Sequence, residues 1–340
     1  MRVFLFVALA STLLFTGCQS GTDTSTTEPA GTLTVYAGRS QSLVDALVER
    51  FEAESGIDVD VRYGRDAELI ATLEEEGAES PADVFWANTP GALGAVSNAN
   101  LLTALPDSLT GRPDAFVPSS GLWVPVTIRF RTMAYNTNAL SSDDLPGSVL
   151  ELPGATNLTG RMGWTPTYSS FQDFVTAMTI TEGEDATNAW IDGIQALEPI
   201  AYSSNTPMLQ ALAAGEIDVA LTNHYYILRI TEGEGDPAPV ATHFFEPGDV
   251  GNLALVTGAG LLQTSDQDAA ALSFLRFLLS EEAENYSAER VYEYPVIQLE
   301  DVPDYLLPFE QARALSPTFD FEQLRELEGT LALLRDQEML

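Results

Sequence analysis

The sequence predicts an α/β protein of two lobes joined by a hinge, with a ligand cleft between the lobes. The length of 340 residues suits either one large domain or two lobes. Short stretches typical of strands alternate with stretches typical of helices, which indicates parallel α/β units. Two long extended runs interrupt this alternation, and they would provide the crossings that a hinge between two such units needs.

The chain begins with a segment typical of secretion. Residues 1–17 carry one positive charge, an apolar stretch and small residues at the end, a pattern that predicts a secretory signal and is too short to predict a membrane span. The single cysteine, Cys18, follows directly and cannot form an internal disulfide. This arrangement resembles a bacterial lipoprotein cleavage site, so we expect Cys18 to be the lipidated first residue of a membrane-anchored protein. The alternative is a plain secretory signal with an incidental cysteine.

Residues 18–31 are expected to form a lipidated cysteine followed by a flexible tether, because Ser, Thr, Gly and Pro dominate them. The folded part then starts near Leu33. In its first half, strands with alternating apolar residues precede helices that end in glycine. The expected strands are 32–38, 57–64 and 82–87, and the expected helices are 42–56, 67–77 and 91–102.

The first long extended run covers 123–137, after which the alternation resumes. A second extended run covers 252–262 and is followed by predicted helices. The expected strands of this half are 161–164 and 216–222, and the expected helices are 169–180, 186–197, 208–215, 269–287 and 321–339.

These patterns predict a division of the chain into lobes. One lobe combines 32–128 with 256–305, the other consists of 129–255, and 306–340 forms a C-terminal helical segment. The first lobe consists of two separate stretches because the chain crosses between the lobes twice.

The charge of the chain excludes several partners. Asp and Glu total 50 against 15 basic residues, which gives a net charge of -35, and every basic residue is arginine. Phosphate would be repelled by such a chain, which argues against binding to nucleic acid or to an anionic membrane surface. The composition favours a solvated, halophilic acidic surface; a diffuse attraction for cations is the alternative.

The motifs of common enzymes are absent from the sequence. It has two histidines and one cysteine, and it contains no GxSxG, phosphate-loop or HExxH motif. An extracellular hydrolase is therefore poorly supported, because Ser169 and Ser170 have no evident histidine partner. We expect a protein that is not an enzyme.

Two adjacent tyrosines, Tyr225 and Tyr226, follow a predicted buried strand in the stretch "LTNHYYILR". Ligands of open α/β folds collect beyond the carboxyl ends of strands. Neighbouring residues of a strand point to opposite faces, whereas a turn that opens a helix would let both phenols line a cleft. Such a helix start would favour the phenolate, a hard ligand that suits ferric iron. The alternative places one ring in the core and the other at the surface.

Two further segments contain residues suited to an anion. Tyr168 precedes Ser169 and Ser170 at a predicted helix start, where free N–H groups attract anions. Ser170 and Asp173 have capping-box spacing. Arg129 and Arg131 alternate along a strand and could grip a small oxyanion. Alternatively, these arginines pair with some of the chain's many carboxylates.

The sequence resembles the bacterial ferric-ion-binding proteins of ABC iron uptake over most of residues 33–300. The resemblance rests on these segments: "TVYAGRSQSLVDALVERFEAESGIDV", "PADVFWAN", "GRMGWTPTYSSFQDFVTAM", "LQALAAGEIDVALTNHYYILR", "TGAGLL" and "EYPV". It implies the type II periplasmic-binding-protein fold, with Tyr225 and Tyr226 as iron ligands. It further implies a third ligand at Tyr168, as in a tyrosine-rich subgroup, and a synergistic carbonate or similar anion on Arg129, with Arg131 as a second anion contact.

Two positions depart from the transferrin-like members of this family. Ser40 and Asn88 stand where those members have histidine and glutamate. The resemblance therefore implies a site dominated by three phenolates, with carbonate or water completing the coordination. Arg39 either faces the same cleft or forms a surface ion pair, and His224 is expected to face solvent.

The resemblance implies a membrane-tethered, extracytoplasmic receptor that is a monomer and delivers Fe(III) to an ABC permease and its ATPase. The alternative keeps the fold but binds an organic solute or oxyanion, with Trp86 or Trp164 stacking on the solute.

Overall fold

The computed structural model describes residues 31–110, 118, 120–233, 237–296, 303–318, 321–325 and 327–340. The expected signal of 1–17, Cys18 and the tether up to residue 30 lie outside the described residues, so they stay predictions. Within the described ranges, no helix is long and apolar enough to cross a membrane.

The strands of the described chain form a connected sheet in the order β2-β1-β3-β9-β4-β7-β5-β6, and β8 and β10 also pair with β4. Strand β1 is parallel to β2 and β3, as the alternation predicts, whereas β9 and β4 run antiparallel to their neighbours. The strands are β1 Leu33–Ala37, β2 Val59–Tyr63, β3 Val84–Ala87, β4 Val124–Asn136, β5 Met162–Trp164, β6 Ile200–Ala201, β7 Val219–Asn223, β8 Val240–His243, β9 Ala254–Leu261 and β10 Tyr294–Pro295.

Strand β4 connects the two halves of the sheet. Its residues up to Phe130 pair with β9, and its residues from Arg131 onward pair with β7. The expected long extended run is thus confirmed as one strand that changes partners in its middle. This change of partner lies between Arg129 and Arg131.

Most helices lie where the pattern predicts them. The expected helix over 321–339 is a 3-10 helix over Phe321–Arg325 followed by the α-helix Leu327–Asp336, and the short helix Asp107–Thr110 was not expected. The expected helix over 269–287 is two helices, because Ser280 starts a new one by accepting a hydrogen bond from the backbone N–H of Ala283 at 3.3 Å. The α-helices are α1 Gln41–Ser55, α2 Asp66–Glu76, α3 Pro90–Asn98, α4 Asp107–Thr110, α5 Ser169–Glu182, α6 Glu184–Gln195, α7 Asn205–Ala213, α8 His224–Thr231, α9 Asp268–Leu278, α10 Glu281–Tyr286, α11 Phe309–Leu315 and α12 Leu327–Asp336.

Separate apolar cores lie on the two sides of the β4 crossing. One surrounds β1, β3, β9 and α9, and another surrounds β5, α5 and α6. Trp86 lies in the first core and Trp164 in the second, at 1% and 4% exposure. Both indoles pack edge-on against phenylalanines, so the expectation that either could stack on a solute is wrong.

The C-terminal residues contact both cores. Leu324 and Leu334 are buried in the second core, and Phe321 packs against both. The hydroxyl of Thr330 lies 2.6 Å from that of Thr176 in α5. Helix α12 is therefore packed against the body of the protein; the lobe boundaries proposed above stay a prediction.

Candidate functional site

Tyr225 and Tyr226 occupy the first turn of α8, directly after β7. The backbone of Asn223 is still extended, and the helix begins at His224, so the chain leaves the strand geometry before the two rings. Both tyrosines are buried, at 0% and 5% exposure, and their ring centroids lie 4.2 Å apart. The expected helix start is confirmed, and the alternative of one surface-exposed ring is wrong.

Tyr168 joins this pair from the start of α5. Its hydroxyl lies 2.9 Å from the hydroxyl of Tyr226, although 58 residues separate them. Tyr168 itself is the residue before the first turn of α5, so the expected capping box of Ser170 and Asp173 is wrong. The Asp173 carboxylate instead accepts a hydrogen bond from the backbone N–H of Gly91, at the start of α3, at 3.0 Å.

The phenols are protonated at neutral pH while no cation is bound. Burial is the main cause that raises the pKa of all three, and the neighbouring tyrosines raise it further. The guanidinium of Arg39 opposes the shift at each of them. The expectation that the helix start favours a phenolate is therefore wrong for the protein alone.

Arg129 interacts electrostatically with Tyr168 and Tyr225, and Arg131 with Tyr225 and Tyr226. Both arginines are almost fully buried. Arg129 donates to the backbone carbonyl of Asn88, and its Nε and Nη1 have no hydrogen-bond partner in the described chain. Arg131 donates to Asn223 Oδ1 at 3.1 Å and to Ser170 Oγ at 3.5 Å. These two guanidiniums therefore present buried positive charge with spare donors.

The alternative in which these arginines pair with carboxylates is wrong for the described residues. No Asp or Glu side chain of the described residues lies within 4.0 Å of the guanidinium of Arg129 or Arg131. Burial, together with the adjacent charge of Arg129, lowers the pKa of Arg131 to about 9, so it stays a cation at neutral pH.

Arg39 forms an ion pair that the sequence did not reveal. Its Nη2 lies 2.9 Å from Glu293 Oε2, and both side chains are buried, at 3% and 0% exposure. Arg39 is therefore neither part of a surface ion pair nor an unpaired side chain in the cleft. Burial alone would raise the pKa of Glu293, but Arg39 and Arg129 lower it overall, so the carboxylate is ionised. Glu293 belongs to the "EYPV" segment, yet nothing distinguishes it among 50 acidic residues.

Asn88 and Ser169 connect the two sides of the site. The Asn88 amide donates to Ser169 Oγ at 2.9 Å, and its backbone N–H donates to Asp66 at 3.0 Å. Ser40 is exposed just before α1 and lines the same cavity as Tyr168 and Ser169. Asn88 therefore lies at this site, and Ser40 lies at its entrance.

His224 is buried at 4% exposure, so the expectation that it faces solvent is wrong. Its Nδ1 accepts a hydrogen bond from the backbone N–H of Phe130 at 3.1 Å. The ring packs between Phe130 and Tyr294, with centroids 6.1 and 5.2 Å away. Burial lowers the pKa of His224 to about 4, so the imidazole is neutral. It joins the start of α8 to β4 through the hydrogen bond from Phe130.

The donors that converge here are phenols and guanidiniums, together with Glu293. Within the described ranges, no group of three or more His, Cys, Asp and Glu residues could hold a metal ion.

Comparison with known proteins places this architecture in a family. The family model of the bacterial extracellular solute-binding protein matches residues 37–285. The chain belongs to this solute-binding family. The major ferric iron-binding protein of Neisseria meningitidis serogroup B is 32% identical over 277 residues, which cover 80% of this chain and 83% of that protein. Iron uptake protein A1 of Synechocystis is 30% identical over 323 residues, covering 87% and 86%.

A solved structure also supports the assignment of this chain to the solute-binding family. Iron-bound HitA from Pseudomonas aeruginosa superposes with a TM-score of 0.85 at 31% identity, covering 90% of this chain and 99% of HitA. The two-lobed α/β fold and the resemblance to ferric-ion-binding proteins are therefore confirmed. Membership of the family implies an extracytoplasmic location.

Proposed function

We propose that this solute-binding protein captures ferric iron outside the cytoplasm and delivers it to an ABC permease powered by its ATPase. The observation that carries the proposal is the convergence of Tyr168, Tyr225 and Tyr226 next to buried arginines. The relatives named as ferric iron-binding proteins support the same cargo. The protein acts as a receptor rather than an enzyme, and as a monomer tethered through a lipid on Cys18.

The three tyrosines are the proposed iron ligands, as in the tyrosine-rich subgroup. Because burial raises their pKa, they lose their protons only as the cation binds, and iron uptake releases protons to solvent. Three phenolates balance the charge of Fe(III), and closing the lobes around them removes water and strengthens the attraction.

A synergistic carbonate or similar anion is proposed beside the iron. Arg129 offers unpartnered Nε and Nη1 donors in the described chain, and Arg131 contributes a second buried charge. Ser169 and Ser170 open α5, whose free N–H groups favour an anion. The anion would supply the oxygen ligands that Ser40 and Asn88 do not provide.

Absorption spectroscopy tests the ligand assignment. Protein loaded with ferric iron should show a visible phenolate-to-iron charge-transfer band, and Tyr225→Phe with Tyr226→Phe should remove most of the band and of the iron affinity. Tyr36→Phe is the matched control, because Tyr36 is equally buried but its hydroxyl bonds to Glu76 at 2.9 Å. If the double variant keeps band and affinity, the tyrosines are not the ligands.

A further inference from the structure

Helix α3 presents two glycines to the other half of the molecule. Gly91 and Gly94 are three positions apart in the helix, so they lie on one face of it. Other residues of α3, namely Ala92, Leu93 and Val96, are buried in the first core. The groups that contact the two glycines come from elements packed in the second core, so this glycine face lies where the two halves meet.

Gly91 receives a carboxylate from α5. Its backbone N–H, in the first turn of α3, donates to Asp173 Oδ2 at 3.0 Å. A Cβ at position 91 would overlap with Asp173 Oδ1 and would lie 3.1 Å from Asp173 Cγ. Asp173 is fully buried, and its helix contributes Phe171 and Phe174 to the second core. The contact therefore joins one element of each core, and only glycine leaves room for it.

Gly94 receives the backbone of the 3-10 helix Phe321–Arg325. A Cβ at position 94 would overlap with Arg325 Cβ and would lie 2.7 Å from Arg325 Cα. Leu324 of the same turn is buried in the second core, while Phe321 packs against both cores. A backbone cannot rotate away as the tip of a side chain can, so the contact at Gly94 is the less adaptable of the two.

The C-terminal segment is held by helices of the second core. The Thr330 hydroxyl in α12 lies 2.6 Å from the Thr176 hydroxyl in α5. Gln195 Nε2 in α6 donates to the backbone carbonyl of Gln337 at 2.9 Å. If the two cores move apart, the C-terminal segment stays with α5 and α6, and its contact with α3 is the one that breaks.

The glycine face lies close to the proposed iron position. Asn88, shortly before α3, donates from its side-chain amide to Ser169 Oγ at 2.9 Å. Ser169 follows Tyr168 and opens α5. Separation of α3 from α5 therefore moves the first core away from the proposed ligand Tyr168 and admits water to the site.

We propose that the glycine face of α3 is the docking surface on which α5 and the C-terminal segment close, and that this contact sets the rate at which bound ferric iron is released. The inference rests on the proposed function and adds to it the residues that control release. Because the ion leaves only when the cores separate, contacts made solely in the closed form slow its release. A side chain larger than glycine at position 91 or 94 acts as a wedge between the cores.

Competition kinetics on iron-loaded protein test the inference. Each variant is loaded with ferric iron in bicarbonate buffer, excess EDTA is added, and the decay of the visible phenolate-to-iron band gives the release rate. Gly94→Ala should release iron roughly tenfold faster than the wild type, because a methyl group forced into a packed contact destabilises the closed form. Gly91→Ala should act in the same direction but less, since the Asp173 carboxylate can turn away from the methyl group.

Gly329→Ala is the matched control. It adds a methyl group to an exposed position of α12, where a Cβ would meet no heavy atom of the described chain within 4 Å. This variant should release iron at the wild-type rate. Should Gly94→Ala fail to fold, the comparison of Gly91→Ala with Gly329→Ala decides the inference.

Two results would overturn the inference. One is an equal release rate in the variants at positions 91, 94 and 329. The other is faster release together with a shifted band, because the band keeps its wavelength when Tyr168, Tyr225 and Tyr226 are undisturbed.

The two proposals fail in different ways. Absence of the phenolate-to-iron band in the wild type with every iron source would overturn the proposed function. A normal band with equal release rates would overturn only the role of the glycine face.

Discussion

Glu293 neutralises Arg39 where neither side chain can reach water. Both are buried, and their 2.9 Å contact is an ion pair between the residue before β10 and the loop after β1. Glu293→Ala should lower the free energy of unfolding by about 3–5 kcal/mol, because it leaves an unpaired buried guanidinium. Urea denaturation of the iron-free protein at pH 7 measures this.

Arg50 and Glu282 provide the control for that substitution. They lie 3.1 Å apart with 46% and 54% exposure, and exposed pairs contribute about 0–1 kcal/mol. Glu282→Ala should therefore change stability little. A similar loss in both variants would show that the burial of Arg39 and Glu293 has no energetic consequence.

The tyrosines and arginines of the site could be predicted from the sequence, whereas Glu293 and the state of His224 could not. Tyr225 and Tyr226 stand out because they follow a strand end, where ligands of open α/β folds collect, and because the doublet resembles that of the ferric-ion-binding proteins. Glu293 is one of 50 acidic residues and lies 254 positions after Arg39 in the sequence, so only the folded structure shows that the two residues are in contact. His224 looks polar in sequence, but its Nδ1 satisfies a buried backbone N–H of β4.

Helices α3 and α5 meet through Asp173, whose carboxylate accepts the N–H of Gly91 at 3.0 Å. The charged groups that act on it are Asp66 and Arg129. Burial is the main cause that raises its pKa to about 7, with Asp66 adding to the shift. Because the folded protein holds this proton more tightly than the unfolded chain, the associated stability is present below about pH 4 and is lost as pH rises through about 7.

Asp173→Asn should therefore stabilise the protein at pH 8 and have much less effect near pH 4. The expected gain at pH 8 is on the order of 1–4 kcal/mol, since one pKa unit corresponds to about 1.4 kcal/mol. Urea denaturation across this pH range measures it, with Asp185→Asn, an exposed site in the first turn of α6, as control. A pH profile that the substitution leaves unchanged would contradict the prediction.

Elements with strong periodicity were the easier part of the fold to predict. The parallel units around β1 and α5 follow from alternation of strand and helix. The division between α9 and α10 was missed, because the apolar pattern continues while Ser280 caps the start of a second helix. The contact of α12 with α5 depends on buried residues such as Leu334, whose partners are far away in sequence.

At the scale of the whole molecule, positive charge is concentrated where the proposed ligand lies. Arg39, Arg129 and Arg131 are all buried at the site, while acidic residues far outnumber arginines in the chain as a whole. With 50 acidic and 15 basic residues, at least 35 carboxylates have no arginine of their own. An anion approaching the protein is thus repelled by the surface in general and attracted at the cleft.

The same imbalance predicts a dependence of stability on salt. Carboxylates that repel one another destabilise the compact state, and raising ionic strength from about 0.1 M to about 1 M shortens the Debye length from about 10 Å to about 3 Å. The free energy of unfolding should therefore rise with KCl or NaCl, measured with urea because guanidinium chloride is itself a salt. Sucrose, which is excluded from protein surfaces without screening charge, separates the two effects. Screening of the -35 charge explains the effect only if salt raises the free energy of unfolding well beyond the increase that sucrose gives. A maximum of stability at low ionic strength would refute the prediction.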